Sequence, residues 1–279
     1  MIRIQPDEIL RMEQNTVEEL LRRLRHAADE ELMTRFNRVG VRVKTDGSIV
    51  TEADFAMQER MQRELAGLFP DYGFLGEEMG LGQHQSQLER AGRGSWVLDP
   101  LDGTSNYVAG IPYFAVSLAL VIDRRVALAV VYDPSRQELF HALAGGGALL
   151  NGVPLAKHDA PSALREAIAV VDYKRLPAEL ARGLATTPPY SSQRSFGSVA
   201  LDFCWIAAGR GHVYLHGRHN LWDYAAGLTI LHEAGGHSAN LEGSQQPVLD
   251  LQPRSTAAAL DVALFAEWCT WLDITSRQA

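Results

Sequence analysis

The chain has 279 residues, 46% hydrophobic and 22% charged, with a formal net charge of −8. Such a length and balance suit one large domain or two intimate halves around a sizeable core. The acidic surplus argues against a nucleic-acid backbone or an anionic membrane as the main partner, yet it admits an anionic substrate where bound divalent cations invert the local field. No apolar run approaches the ~20 residues of a membrane span, and the opening "MIRIQPDEIL" has no long apolar core of a signal peptide. Cys204 and Cys269 lie far apart, outside any metal spacing, and read as two buried thiols of a cytoplasmic protein.

The stretch "NTVEELLRRLRHAADEELMTRF" sets Val17, Leu20, Leu21, Leu24 and Ala28 at helical spacing, and "KTDGSIV" breaks the pattern with turn residues. "TEADFAMQERMQRELAGLF" is a second helix with Met57, Met61, Leu65 and Leu68 on one face. "YGFLGEEMGLG" reads as a short strand entering an acidic loop, and "QHQSQLERAGRGS" as a polar, solvated, mobile segment. Strands follow at "SWVLD", "YFAVSLALVID", "VALAVVYDP" and "ELFHAL", and "GGGALLNGVPL" reads as a glycine-rich hairpin. The back half alternates "AIAVVDY" as strand, "PAELARGL" and "SVALDFCWIAAG" as helices, "HVYL" as strand, and "DYAAGLTILHEAGG" and "DVALFAEWCTWLD" as helices. The segment "TTPPYSSQRS" reads as a loop. Residues 1–279 thus form one domain of the α+β class, its mixed sheets carrying stacked helices, with an α+β front over roughly 1–150 and an α/β back over roughly 151–279.

In "WVLDPLDGTSNY" two aspartates, Asp99 and Asp102, end a buried run of chain. Two carboxylates ~4 Å apart at an effective dielectric near 20 repel by about 4 kcal/mol, so a counter-charge is required. Further carboxylates stand where elements begin or end: Glu77 and Glu78 in "FLGEE", Asp54 in "IVTEADF" and Asp223 in "LWDYAAG". Hard oxygen donors gathered this way suit Mg²⁺. Each also has a structural reading: Asp54 follows Thr51 as a capping box, Asp223 caps a helix, "GEE" is a solvated loop and "DPLDG" a turn. A short helix after Asp102 would turn the N–H groups of Gly103, Thr104 and Ser105 outward as an anion site. Ala225, Ala226 and Gly227 read as small residues for close helix packing, and His212, His216, His219, His232 and His237 fit no zinc spacing.

Together and in this order, "SIVTEAD", "GEE", "WVLDPLDGTSNY" and "LWDYAAGLTILHEAGG" resemble the inositol monophosphatase family of Mg²⁺-dependent, lithium-sensitive phosphatases, from roughly residue 17 to the C-terminal helix. The resemblance implies a layered αβαβα sandwich, a homodimer, and a small phosphorylated metabolite as partner. It also implies two or three Mg²⁺ ions: Glu77, Asp99 and the Leu101 carbonyl hold the first, Asp99, Asp102 and Asp223 the second, and a third lies near Glu77. Asp54 and Thr104 then orient the attacking water, with Glu77 beside them, and two metals clamp the attacking and leaving oxygens. On the substrate side Gly197 and Ser198, from "RSFGSVALDFCW", line the pocket.

Where the family offers a glutamate seven residues before the W-D aspartate, this chain has His216, followed by Arg218. The leading expectation is hydrolysis of a small polyol or sugar phosphate, inositol 1-phosphate first, with inhibition by millimolar lithium. Alternatives are a 3',5'-bisphosphate nucleotidase or fructose-1,6-bisphosphatase of the same fold, with Arg218 on a second phosphate, and a non-catalytic metal-binding regulatory homologue.

Overall fold

The computed structural model describes residues 14–38, 40–44, 47, 49–80, 94–155, 159–244 and 251–274. Helix α1 (Gln14–Ala28) continues through a π-helical turn at Asp29–Met33. A small hairpin, β1 (Val41–Val43) and β2 (Ile49–Thr51), leads into α2 (Glu52–Leu68). Then come β3 (Gly73–Gly76), β4 (Ser95–Asp102), the short α3 (Thr104–Ala109), β5 (Ala115–Ile122), β6 (Arg125–Asp133), β7 (Glu138–Leu143), β8 (Ala148–Leu150) and β9 (Val153–Pro154). These seven strands make one sheet in chain order, antiparallel except for the β3–β4 pair. Its tight turns use positive φ where hairpins demand it: 48° and 61° at Asp123-Arg124, 50° and 80° at Asn151-Gly152.

The back half contributes β10 (Ile168–Asp172), α4 (Ala178–Thr186), β11 (Ser192–Arg194), α5 (Val199–Ala207), β12 (Val213–His219), α6 (Leu221–Glu233), β13 (His237–Ala239), β14 (Arg254–Ala259) and α7 (Val262–Trp271). Its five-stranded sheet has the order β11-β10-β12-β14-β13, with β11, β10 and β12 parallel. Successive strand residues face opposite sides. On β4, Trp96 and Leu98 pack toward α1 and α2, while Val97 packs toward α5 and α6. Helices α5 and α6 fill the space between the sheets, meeting Val170, Tyr214 and Ala258 of the second. That sheet's far face meets Leu184 of α4 and Leu264, Phe265 and Trp268 of α7. The result is the αβαβα sandwich expected from the sequence.

Several local expectations change. The "TTPPYSSQRS" loop contains the edge strand β11, and "HVYL" extends to His219. Helix α6 begins at Leu221, so Asn220 is the N-cap and Asp223 stands at its third position. The hairpin β1–β2 and strands β13 and β14 are additional elements. Cys204 is buried, but Cys269 is only partly so, and both are free. The polar stretch at 83–95 lies, except for Gly94 and Ser95, outside the described residues.

Candidate active site

Every residue of β4 is buried, and its register against β5 shifts between Asp99 and Asp102. Pro100 sits at that irregularity, where its missing N–H costs the ladder nothing. The freed Leu101 N–H donates to Asp99 Oδ1 at 3.0 Å. Gly103 follows with φ 93°, and a Cβ there would meet the Tyr113 and Gly197 carbonyls at 3.1 and 3.3 Å. Only glycine turns the chain here into α3 without strain.

Thr104, the first residue of α3, holds its hydroxyl 3.2 Å from Asp54 Oδ1 and 2.9 Å from the Leu101 carbonyl. Its one proton therefore faces two acceptors. Asp54 serves two ends at once. Its Oδ2 accepts from the Thr51 N–H at 2.8 Å and the Thr51 hydroxyl at 2.6 Å, closing the capping box of α2, while Oδ1 faces Thr104. The capping reading of Asp54 holds, and the same carboxylate also faces the Thr104 hydroxyl. Burial raises its carboxyl to about 6, against the lowering influence of those hydrogen bonds.

Glu77 and Glu78 follow β3. The Glu78 N–H donates to Gln58 Oε1 at 3.0 Å, and a Cβ at Gly76 would collide with that amide. Gln58 and Gly76 therefore set the turn together. Lys44, from the segment read as a plain turn, places its ammonium 3.0 Å from Glu77 Oε1 and 2.6 Å from Glu78 Oε1. Nothing in a lone lysine beside a turn announces that role; it needs the fold.

Asp223 arrives from the middle layer. Its Oδ2 accepts from the Asn220 N–H at 2.7 Å, and Ser117 of β5 donates to the Trp222 carbonyl at 3.0 Å, fixing α6 to the first sheet. Asp102 Oδ2 accepts from Ser198 Oγ and the Ala200 N–H, both at 2.7 Å, at the start of α5. A Cβ on Gly227 would lie 2.8 Å from the Ala200 carbonyl and 3.0 Å from Phe203 Cβ. The small residues of "AAG" thus let α5 and α6 approach, as the sequence implied.

Asp99 and Asp102 are 2% and 8% exposed. Burial pushes Asp99 well above the carboxylate range, and the charges of Glu77, Asp102 and Asp223 push it further. Asp223 is raised likewise by burial and then by Glu77 and Asp102. Glu77 is raised by burial, opposed by the ammonium of Lys44. Asp99 feels the charge of Glu77 in turn, and like charges gathered in this way favour a proton or a cation among them. Among the described residues no three His, Cys, Asp or Glu side chains close around one point as an ion's ligands do. The fit to Mg²⁺ lies in donor type, burial and unbalanced negative charge, all of which favour a hard divalent cation.

The substrate side departs from expectation at two residues. Ser198 does not line a pocket: it is fully buried, caps α5 and donates to Asp102. His216 is 7% exposed and has both ring nitrogens engaged, Nδ1 accepting from the Arg218 N–H at 3.2 Å and Nε2 lying 3.3 Å from Asp172 Oδ2. It is a strut of the wall and leaves no nitrogen for substrate. Gly197 is exposed with φ 87° against Asn106, whose Nδ2 donates to the Phe196 and Tyr113 carbonyls at 2.6 and 2.8 Å. Arg218 is exposed. Gln58 and Asn106 went unread because each acts through a distant backbone group, and Lys44 because its carboxylate partners lie more than thirty positions away.

A five-layer sandwich with buried carboxylates at the seam between its sheets defines a class of hard-oxygen site at the junction of two half-structures. The inositol monophosphatase family model matches residues 13–269, and the chain belongs to that family. Nus factor SuhB of Xylella fastidiosa is 37% identical over 205 residues, 72% of each chain. An inositol-1-monophosphatase of Rhizobium meliloti is 35% identical over 223 residues, 75% of this chain and 78% of that protein. Among solved structures, a Thermotoga maritima IMPase superposes with a TM-score of 0.77 at 28% identity, covering 93% of this chain and 100% of that one. The extragenic suppressor protein suhB of Bartonella henselae gives 0.77 at 28%, covering 92% and 98%.

Proposed function

We propose that the protein is a Mg²⁺-dependent phosphomonoesterase of small phosphorylated metabolites, working as a single domain in a cytoplasmic homodimer. The observation that carries this reading is the Thr104–Asp54 hydrogen bond beside the buried Asp99 and Asp102 and the half-buried Glu77 and Asp223 carboxylates. Glu77, Asp99, the Leu101 carbonyl, Asp102 and Asp223 would hold the ions. When bound, Mg²⁺ supplies acidity to water and charge stabilisation to the phosphoryl and leaving oxygens.

The chain's own groups do the rest. Asp54, with its carboxyl at about 6, is mostly ionised at neutral pH and accepts the Thr104 proton. The lone pairs of that hydroxyl then accept from a water and aim it, without histidine. The N–H groups of Gly103, Thr104 and Ser105 begin α3, lack intrahelical partners, and receive phosphoryl oxygens. Ser198 and Ala200 hold Asp102 in place.

The test is release of phosphate from inositol 1-phosphate and p-nitrophenyl phosphate in Mg²⁺, comparing the native protein with Asp102→Asn and Thr104→Val. Each variant should lose at least ~10²-fold in kcat. Full activity in Asp102→Asn would reject the reading. The 37% identity to a protein named Nus factor SuhB favours a second reading, in which the chain acts through an assembly and turnover is incidental. That reading requires the two variants to keep the biological role after losing hydrolysis.

A further inference from the structure

We propose that a cavity at the far ends of α5 and α6, away from the clustered carboxylates, is a binding site for a small protonated amine with an apolar body. The inference stands apart from the phosphatase reading, and its test needs no turnover.

The cavity has a volume of about 320 Å³, at the lower end of what small-molecule sites occupy. Helices α5 and α6 both begin beside the carboxylates, with Ser198 and Asn220 as their N-caps, and run for 9 and 13 residues. At 1.5 Å per residue that carries the chain about 13 and 20 Å away. Their last turns, at Ala207 and Gly209 and at Ala234 and Gly235, line the cavity. Both ends close alike. Gly209 and Gly235 have φ of 68° and 92°. The Gly209 and Arg210 N–H groups donate to the Ile206 and Trp205 carbonyls, and those of Gly235 and Gly236 to the His232 and Leu231 carbonyls. Each helix thus stops in a Schellman motif. A Cβ on Gly235 would meet nothing within 4 Å, so the space beside it is open.

The charge around this space is of one sign. Each helix C-terminus carries roughly half a negative charge, and among the described residues the Ala207 and Ala234 carbonyls accept no backbone hydrogen bond. Asp159 and Asp261 stand on the lining as well. Asp261 caps α7 through Oδ1, which accepts from the Ala263 and Leu264 N–H groups at 2.9 Å each, leaving Oδ2 outside the cap. Among the described residues no lysine or arginine lines the cavity. Arg210, next to Gly209, is turned aside: it pairs with Glu138 of β7 at 2.5 and 2.6 Å and lies over the Trp205 ring. The complement to such a lining is a cation, and Leu155, Leu260 and Leu264 offer its hydrocarbon part an apolar contact. The walls are already fixed. The His212 N–H donates to the Ile168 carbonyl at 2.9 Å while its Nδ1 accepts from the Ile168 N–H at 2.8 Å, and the His237 ring stacks on Phe265 with centroids 5.8 Å apart. A wall fixed beforehand lowers the ordering cost of binding.

The experiment is a ligand-observed NMR titration at neutral pH with 2-phenylethylamine, the neutral 2-phenylethanol and the anionic phenylacetate. It uses the native protein, Asp159→Asn/Asp261→Asn, in which asparagine keeps the cap of α7, and Ala234→Leu, which fills the cavity. Asp123→Asn in the β5–β6 turn is a remote loss of charge. The native protein should bind the amine about fivefold or more tighter than the alcohol, with phenylacetate weakest. The asparagine pair should weaken the amine about fivefold and leave the alcohol unchanged. Ala234→Leu should weaken both, and Asp123→Asn neither. Absence of amine binding at about 10 mM, or equal affinity for the three compounds, overturns the proposal. Amine binding that survives both cavity variants lies elsewhere and overturns it too. Thermal melts report whether each variant folds; if the asparagine pair does not, the three-compound comparison and Ala234→Leu decide the question.

Discussion

Ser198 shows how one hydroxyl serves two parts of the structure. Its oxygen accepts from the Leu201 N–H as the cap of α5, while its proton goes to Asp102. Removing it by Ser198→Ala deletes a cap, worth ~1 kcal/mol, and a buried hydrogen bond to a carboxylate, worth ~1.5–3 kcal/mol. A loss of about 2–4 kcal/mol in urea denaturation is expected, with weaker Mg²⁺ binding by calorimetry; stability within 0.5 kcal/mol of the native value would contradict the assignment. Residues of this kind mark the boundary of what the sequence discloses. Asp99, Asp102, Gly103 and Thr104 were legible because they crowd into one short stretch and their chemistry is incompatible with a plain strand end. Ser198 and His216 sat in matching positions but bond to Asp102 and Asp172, partners 96 and 44 positions away that only folding supplies.

At the level of elements, α5 and α6 deliver Asp102's anchor and Asp223 to one place, so their separation is part of the site. Gly227→Ala inserts a methyl 2.8 Å from the Ala200 carbonyl, a backbone atom with little room to give. It should cost about 1–3 kcal/mol and reduce Mg²⁺ affinity. Gly183→Ala in α4 meets nothing within 4 Å, and should instead stabilise by about 0.5–1 kcal/mol. Thermal melts of both, with calorimetry on the first, check the contrast; equal effects would mean that the helix pair is not under packing constraint. Legibility again followed physics. Helices α1, α2 and α7 and the long strands β4 to β7 carry their periodicity in their own residues. Strand β14, "RSTAAA", is short and alanine-rich, and β1 exposes all three residues, so pairing rather than pattern defines them.

Across the whole molecule, raised carboxyls at the proposed metal site would let a proton and a cation compete for the same groups. Asp99 and Asp223 have folded values raised above their unfolded ones. Their contribution to stability is complete below the ordinary carboxylate range and is lost as pH climbs through the raised values. A cation that binds the deprotonated, folded form restores it. The gap in Tm between Mg²⁺ and EDTA should therefore be small in the ordinary carboxylate range and widen as the pH rises above it; a constant or shrinking gap in differential scanning calorimetry would refute the linkage. One architectural fact reaches further. Glu77, Asp99 and Asp102 hang from the seven-stranded sheet, whereas Asp172, Arg175, His216 and Arg218 hang from the five-stranded one. On the proposed phosphatase reading, substitutions at the strand ends of the five-stranded sheet would leave the carboxylates carried by the other sheet where they are.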